Sequence, residues 1–335
     1  MGPAPPAAVP AGPRPVALLF AGQGAQHPRM GAGLYDAEPG FAAAMDTVLG
    51  HLDGAGRRLR RAWLDTGTAV DGTLEAQSLL FALGYAIGRM VTDWGVRPAV
   101  LLGHSVGELA AAALAGVFDV GDAIRLVAHR SRCAERAGLG GMLAVAAGAA
   151  EITPLLPEGT AIAAVNAPRN TVVAGPAAAL PAVGRRLRDA GLAYLPVRSG
   201  TAFHSPMMAP VVAATLPMLA RTRLRPPRIP LVSGCTAAEL LPDQATDPAF
   251  WAAQPMACVR FWPALDTLLA RGRLMLLDTA PRAALATIAR RHPAVACRAS
   301  EVVAVLPGRP GDDARAARAA AQRLRQEGHR IAEHR

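Results

Sequence analysis

Lysine is absent from this 335-residue chain, so all 35 of its basic side chains are arginine. Together with an excess of alanine, this marks GC-rich coding rather than an adaptation to heat. Aromatic residues make up only 4% and the arginines are dispersed through amphipathic segments, which argues against a stacking platform for single-stranded nucleic acid. The four cysteines, Cys133, Cys235, Cys258 and Cys297, lie far apart with no C-x-x-C spacing. That excludes a signalled zinc site or disulfide framework and leaves four buried, reduced thiols as the expectation. Long apolar runs are missing too: stretches such as Leu109–Phe118 fall well short of the roughly 20 residues that span a bilayer. The opening "MGPAPPAAVPAGPRP" has no basic n-region, and its Pro5 and Pro6 do not suit a myristoylation signal. A soluble, cytoplasmic protein without a membrane or nucleic-acid partner is the expectation.

What is present is a chain able to bury a large core, with 52% hydrophobic and 18% charged residues. Its net charge of +10 favours an acidic partner. "VALLFAGQG" reads as a buried strand entering a glycine turn, and "TLEAQSLLFALGYAIGRMVTDWG" as a long buried helix. "PAVLLGHS" is a second buried strand and "GELAAAALAGVF" a helix. From about residue 141 the order becomes strand, helix, strand, strand, helix, strand, the βαββαβ pattern of a ferredoxin-like unit. After Ser199 longer segments resume: a helix around 209–220, a "RIPLVSG" strand, a helix from Pro263 and the strand "RLMLLDTAP". The expected architecture is α/β: a large α/β-hydrolase-like subdomain with a parallel sheet (15–139 and 200–305) and an inserted ferredoxin-like subdomain (140–199). A disordered proline-rich leader (1–14) precedes them, and a surface helix with a frayed end (306–335) follows.

The chemistry centres on "LLGHSVGELAAAALAGVF", a G-x-S-x-G frame between strand and helix. A serine hydroxyl is a poor nucleophile at neutral pH and needs a base within hydrogen-bond reach and donors for an oxyanion. A strand, sharp turn and helix meet the context of a nucleophile elbow. The same frame alone also fits a glycine-flanked turn in which Ser105 merely caps the helix.

"FAGQGAQ", "LLGHSVGELAAAALAG", "AVNAPRNTVVAG", "AFHSPMM" and "FWAAQPMACVRF" occur in this order. As a set over roughly residues 16–330 they resemble the malonyl-CoA:acyl-carrier-protein transacylases and polyketide synthase acyltransferase domains. The closing "VVAVLPGR" with "RLRQEGHRI" is similar to the segment that follows polyketide-type domains, which points to a discrete member of that branch. The resemblance implies Ser105 as nucleophile, His204 as its general base, and the backbone N–H groups of Gln23 and Val106 as the oxyanion hole. It implies Arg130 as the partner of a free malonyl carboxylate, with Asn166, Thr201 and Phe203 in substrate binding. It also implies that the backbone carbonyl of Gln254 steadies the histidine, while Arg125, Arg132 and Arg136 are left as solvated surface. "TAFH" resembles the malonyl-associated HAFH more than the methylmalonyl-associated YASH, with Thr201 in place of the usual histidine. Ala21, Arg29 and the "DTAP" at 278–281 are further departures from the family pattern.

The implied reaction is ping-pong transfer of malonyl from malonyl-CoA to the phosphopantetheine thiol of an acidic acyl carrier protein, by a monomer with no metal or bound cofactor. Arginine clusters at Arg57, Arg58, Arg60 and Arg61, or between Arg221 and Arg228, are candidates to dock the carrier. Three alternatives stand beside it. One is an esterase using Asp278 and His292. Another is an acyltransferase working between carriers or removing stalled acyl groups by hydrolysis. The third is a carrier-binding scaffold without activity.

Overall fold

The protein is described by a computed structural model over residues 12–138, 140–309 and 311–332. Among the described residues, nine strands are arranged in two sheets: β1 (Val16–Phe20), β2 (Val100–Gly103), β3 (Gly140–Val145), β4 (Ala161–Ala167), β5 (Asn170–Pro176), β6 (Tyr194–Val197), β7 (Leu231–Val232), β8 (Met275–Asp278) and β9 (Glu301–Ala304). The first sheet has the order β7-β2-β1-β8-β9, with every pairing parallel. Its central strands β1, β2 and β8 are buried at every residue, which is why they read as unbroken apolar runs: helices cover both faces. Helix Thr73–Asp93 supplies the largest cover and buries fourteen residues, as its apolar periodicity predicts.

The second sheet, β4-β5-β3-β6, is antiparallel and has the ferredoxin-like order expected from the βαββαβ pattern. Its two faces separate by strict alternation along β3. Leu143 and Val145 pack with Ile152, Val173, Val183 and Leu187 under the helices, while Met142 and Ala144 point the other way. Their cross-strand partners Val197 and Leu195 share that second face. β4 is stitched to the large unit by two backbone bonds, Val165 N–H to the Val259 carbonyl (2.8 Å) and Val259 N–H to the Ala163 carbonyl (2.9 Å).

The C-terminal helix Asp313–Glu327 lies at the surface and docks by one face, burying Ala314, Ala317, Ala320, Ala321 and Leu324. One expectation about the chain ends requires correction. Arg14, placed in a disordered leader by composition, is buried and donates to Glu327 (2.6 Å) and Glu301 (2.7 Å), which Arg323 also grips. The Arg14 guanidinium is the largest cause holding the Glu327 carboxyl down at about 2. Alanine spacing hid the packing stripe, and a single arginine carries no sequence mark of its partner. The rest of the leader, residues 1–11, and the last three residues lie outside the described residues.

No helix among the described residues is long and apolar enough to cross a membrane. All four cysteines are free; Cys133, Cys235 and Cys258 are partly buried and Cys297 is exposed, so the expectation of four buried thiols fails at Cys297.

Candidate active site

Both glycines of the G-x-S-x-G frame are explained by close approach. A Cβ on Gly103 would lie 2.2 Å from the Glu108 nitrogen, and one on Gly107 would lie 2.3 Å from the Phe20 carbonyl oxygen. Without those side chains, helix Val106–Leu114 folds back tightly on β1 and β2. Ser105 sits at the turn with φ 55° and ψ −121°, a conformation that costs a non-glycine residue of order 1–3 kcal/mol. Its side chain makes no capping bond to the helix, so the N-cap reading of the motif fails. Instead Ser105 Oγ lies 2.7 Å from His204 Nε2.

The histidine is oriented from behind. Its Nδ1 lies 2.7 Å from the carbonyl oxygen of Ala257, which can only accept, so Nδ1 carries the proton and Nε2 is left to accept from Ser105. This corrects the role expected of Gln254: the carbonyl of Ala257 holds the ring, and that of Gln254 exerts a weaker pull on it. The 257–259 segment is positioned by its bonds to β4, so both sheets participate in placing the base. His204 is buried, and desolvation is the main cause that pushes it down to about 4. The imidazole is therefore neutral across the physiological range and available as a base.

The Gly22–Gln23 loop lies against this elbow, with the Gly22 Cβ position 2.7 Å from the His104 carbonyl oxygen and 3.0 Å from Ser105 Cβ. Among the described residues neither Gln23 N–H nor Val106 N–H has a hydrogen-bond partner. Gln23 Oε1 accepts from Gln77 Nε2 at 3.2 Å.

A cavity of about 300 Å³ opens above Ser105 between the two sheets. Met142, Ala144, Val172 and Val197 of the antiparallel sheet form its apolar wall with Phe203, and Gln23, His104, Asn166 and Asn170 supply polar groups. His104, the residue beside the nucleophile, is half-buried at the cavity and donates from Nε2 to Asn166 Oδ1 at 2.8 Å. The bond ties the elbow to β4. The signal was only the histidine beside the serine, because its partner is 62 residues away.

Of the expected site residues, Thr201 and Arg130 are buried but do not line this cavity. The Thr201 backbone oxygen accepts from Ser199 Oγ at 2.8 Å. Arg130 lies on the inner face of helix Val120–Arg136, whereas Arg125, Arg132 and Arg136 are exposed as expected. Its guanidinium donates from Nη1 to Gln254 Oε1 (2.5 Å) and from Nη2 to the Trp251 carbonyl (2.8 Å). Desolvation lowers it to about 10, so it remains a cation at neutral pH.

The esterase arrangement is not assembled. Asp278 is buried and accepts from the Ala280 and Ala286 N–H groups (2.8 and 2.7 Å), while His292 pairs with Asp266 at 2.8 Å. His292→Ala is accordingly expected to keep serine reactivity within about twofold, and His204→Ala to lose about 10²–10⁴-fold. Labelling of Ser105 by a serine-reactive acyl donor separates the two. The pH profile of the same labelling should hold its rate from pH 8 down to about 5.5 and fall only as His204 protonates near 4. Since the folded value lies below the ordinary 6.5, this group also makes the fold less stable as pH falls from 6.5 toward 4.

Residues 17–330 match the acyl transferase domain family. A phenolphthiocerol/phthiocerol polyketide synthase protein of Mycobacterium tuberculosis is 41% identical over 280 residues, covering 83% of this chain and 19% of that protein. The chain thus spans a fifth or less of the length of such curated relatives. Among solved structures, the acyl transferase domain of SpnD in complex with 2-(pent-4-yn-1-yl)malonyl is 33% identical with a TM-score of 0.89, covering 96% of this chain and 78% of that one. The malonyl-transacylase PlMCAT, solved in complex with the type II polyketide synthase acyl-carrier protein AntF, gives 25% identity and a TM-score of 0.78 over 87% of this chain and 96% of that one. With a serine elbow, a neutral histidine base and this likeness along nearly its whole length, the chain belongs to the acyl transferase domain family.

Proposed function

We propose that the protein moves a malonyl group from malonyl-CoA to the phosphopantetheine thiol of an acyl carrier protein in polyketide biosynthesis. The observation that carries this is the 2.7 Å Ser105–His204 contact with a buried arginine one side chain away, linked through Gln254 to the serine's own carbonyl. Ser105 Oγ attacks the thioester carbonyl as His204 Nε2 takes its proton, and the N–H groups of Gln23 and Val106 receive the oxyanion. Collapse breaks the C–S bond, the imidazolium returns the proton to the CoA thiolate, and a malonyl ester remains on Ser105. The carrier's thiol repeats the sequence in reverse. Thioester to ester to thioester calls for no redox or metal step, and the ester must be kept from water until the carrier's thiol arrives. Arg130 reads the free carboxylate, because a planar guanidinium matches it with two parallel hydrogen bonds.

A route for the phosphopantetheine arm is offered by a second hollow of about 510 Å³ that shares Ala144 and Asn170 with the cavity. Leu195, 73% exposed, lines it together with Arg169 and Arg291. Arg198 is exposed at the cavity rim. Arg169 is itself paired with Glu151 at 3.4 Å, so Arg198 and Arg291 are the ones that suit the arm's phosphodiester and an acidic carrier better than the clusters named from sequence. Arg60 is paired with Asp46 and Arg225 with Asp119, and neither cluster lines the cavity. Arg198→Glu/Arg291→Glu should lower kcat/KM for the carrier about tenfold, more at low salt, through the rate of encounter. Malonyl transfer from a truncated thioester lacking the phosphates should change less than twofold.

The test of the proposal is intact-protein mass after mixing with malonyl-CoA, methylmalonyl-CoA and acetyl-CoA. A malonyl adduct that passes to a holo carrier protein supports it. The apolar wall of the cavity favours a second reading, transfer of a non-malonyl acyl chain between carriers. An adduct formed from acyl-carrier substrates alone would establish that reading instead.

A further inference from the structure

We propose that Gln254 is a positioning residue that couples the carboxylate-reading Arg130 to the nucleophile, and so contributes to the choice of acyl group. The inference rests on the reading above that Arg130 receives the free carboxylate. Gln254 follows helix Pro248–Ala253 and is buried. Its amide orientation is dictated by its partners: only the oxygen can accept from a guanidinium, and only the nitrogen can donate to a carbonyl. Oε1 accordingly accepts from Arg130 Nη1 at 2.5 Å, and Nε2 donates to the Ser105 carbonyl at 2.8 Å and to Glu108 Oε2 at 3.3 Å. One planar group therefore touches the carboxylate reader at one end and the backbone of the strained nucleophile at the other.

The state of the neighbouring atoms supports a functional coupling. A guanidinium has five N–H donors; one goes to Gln254, one to the Trp251 carbonyl, and Nε is buried with no partner among the described residues. Arg130 is thus held in plane by two acceptors, with its Nε hydrogen left unpaired among the described residues. Trp251 is itself locked, stacked edge-on to Phe118 and donating from Nε1 to the Ala245 carbonyl at 2.9 Å. Glu108 Oε1 is likewise unpartnered, and burial raises its carboxyl while Ser233, Gln254 and Cys235 oppose the rise. The Glu108 carboxyl takes the remaining hydrogen of the Gln254 amide, which fixes the amide plane. Arg130 cannot rotate toward a substrate without changing what Oε1 accepts, and Ser105 is fastened to the same amide. A residue that merely fills space would make no distinction between acyl groups with and without a carboxylate.

The experiment compares Ser105 acylation rates for malonyl-CoA and acetyl-CoA by rapid quench and intact mass. The proteins are wild type, Gln254→Met, Gln254→Glu and Arg130→Ala, together with both Gln254 substitutions in the Arg130→Ala background. Met removes both polar contacts at nearly the same volume. Glu keeps the shape and places a competing carboxylate on Arg130, so one variant serves if the other does not fold. The expected result is a fall of about tenfold or more in the malonyl-to-acetyl ratio for either variant. In the Arg130→Ala background the same substitutions should shift that ratio by less than about twofold, since the pair acts as one unit. Parallel loss of both rates with an unchanged ratio, or an equal fall in the ratio without Arg130, overturns the inference and leaves Gln254 structural. Failure of the reading beneath it shows elsewhere: wild type would not prefer malonyl, or Arg130→Ala would leave the ratio intact with Gln254 untouched.

Discussion

Ser105→Ala is expected to show no mass increase with any CoA thioester, and transfer to a carrier protein should fall by about 10⁴-fold or more. The size of the effect follows from the division of labour. Ser105 Oγ is the hydroxyl held by a neutral imidazole, at 2.7 Å, and the elbow that presents it is built by two glycines that admit no side chain. Removing the oxygen leaves the oxyanion donors and the cavity in place but nothing to form the ester. Melting temperature should change little, because the acceptor left without its donor, His204 Nε2, faces the cavity, where water can replace the lost hydroxyl. A labelled Ser105→Ala protein, with the acyl group mapped by fragmentation to another residue, would remove Ser105 from the reaction.

Arg130→Ala should lower the malonyl acylation rate by about 30-fold to several thousand-fold, the loss expected when one partner of a buried charge-assisted pair is removed, about 2–5 kcal/mol. Acetyl-CoA, which has no carboxylate to pair, should lose far less, so the preference narrows or reverses. The cation survives burial because desolvation brings it only to about 10, several units above neutrality. Arg130→Lys should recover little, since an ammonium cannot reproduce the two parallel bonds or span from Gln254 to the Trp251 carbonyl. Equal losses for malonyl and acetyl would assign Arg130 to the support of Trp251 and Gln254 and would favour the reading in which a non-malonyl chain is moved.

Much of this site was visible in linear form because its parts are local. An elbow needs a strand, two glycines and a helix within a few residues, so Ser105 could be named from its frame alone. His204 could be named only through the family's resemblance, and His292 competed with it until the structure paired that ring with Asp266. The residues misjudged are those defined by a partner far along the chain. His104 acts on Asn166, Arg14 on Glu327, and the support for His204 passed from Gln254 to Ala257 because a carbonyl carries no side-chain signature. Free thiols usually pack inside, yet Cys297 caps the short helix Pro293–Ala296 on the surface.

The sequence by itself determined the two rhythms of the chain and hence the two sheets. A buried parallel strand must be apolar throughout, and the strand-helix-strand-strand-helix-strand order fixes the pairing of the antiparallel unit, so each sheet is written into residue order. It also determined the elbow and the charge of the helix that carries Arg130. Only the tertiary structure decided what surrounds them. The inward turn of Arg130, the Gln254 amide that joins it to Ser105, and the Ala257 carbonyl that selects the histidine tautomer arise where segments far apart in the chain meet. Hydrogen bonds depend on distance in space, and burial depends on what the whole chain places around a group, so neither is expressed in the order of residues alone.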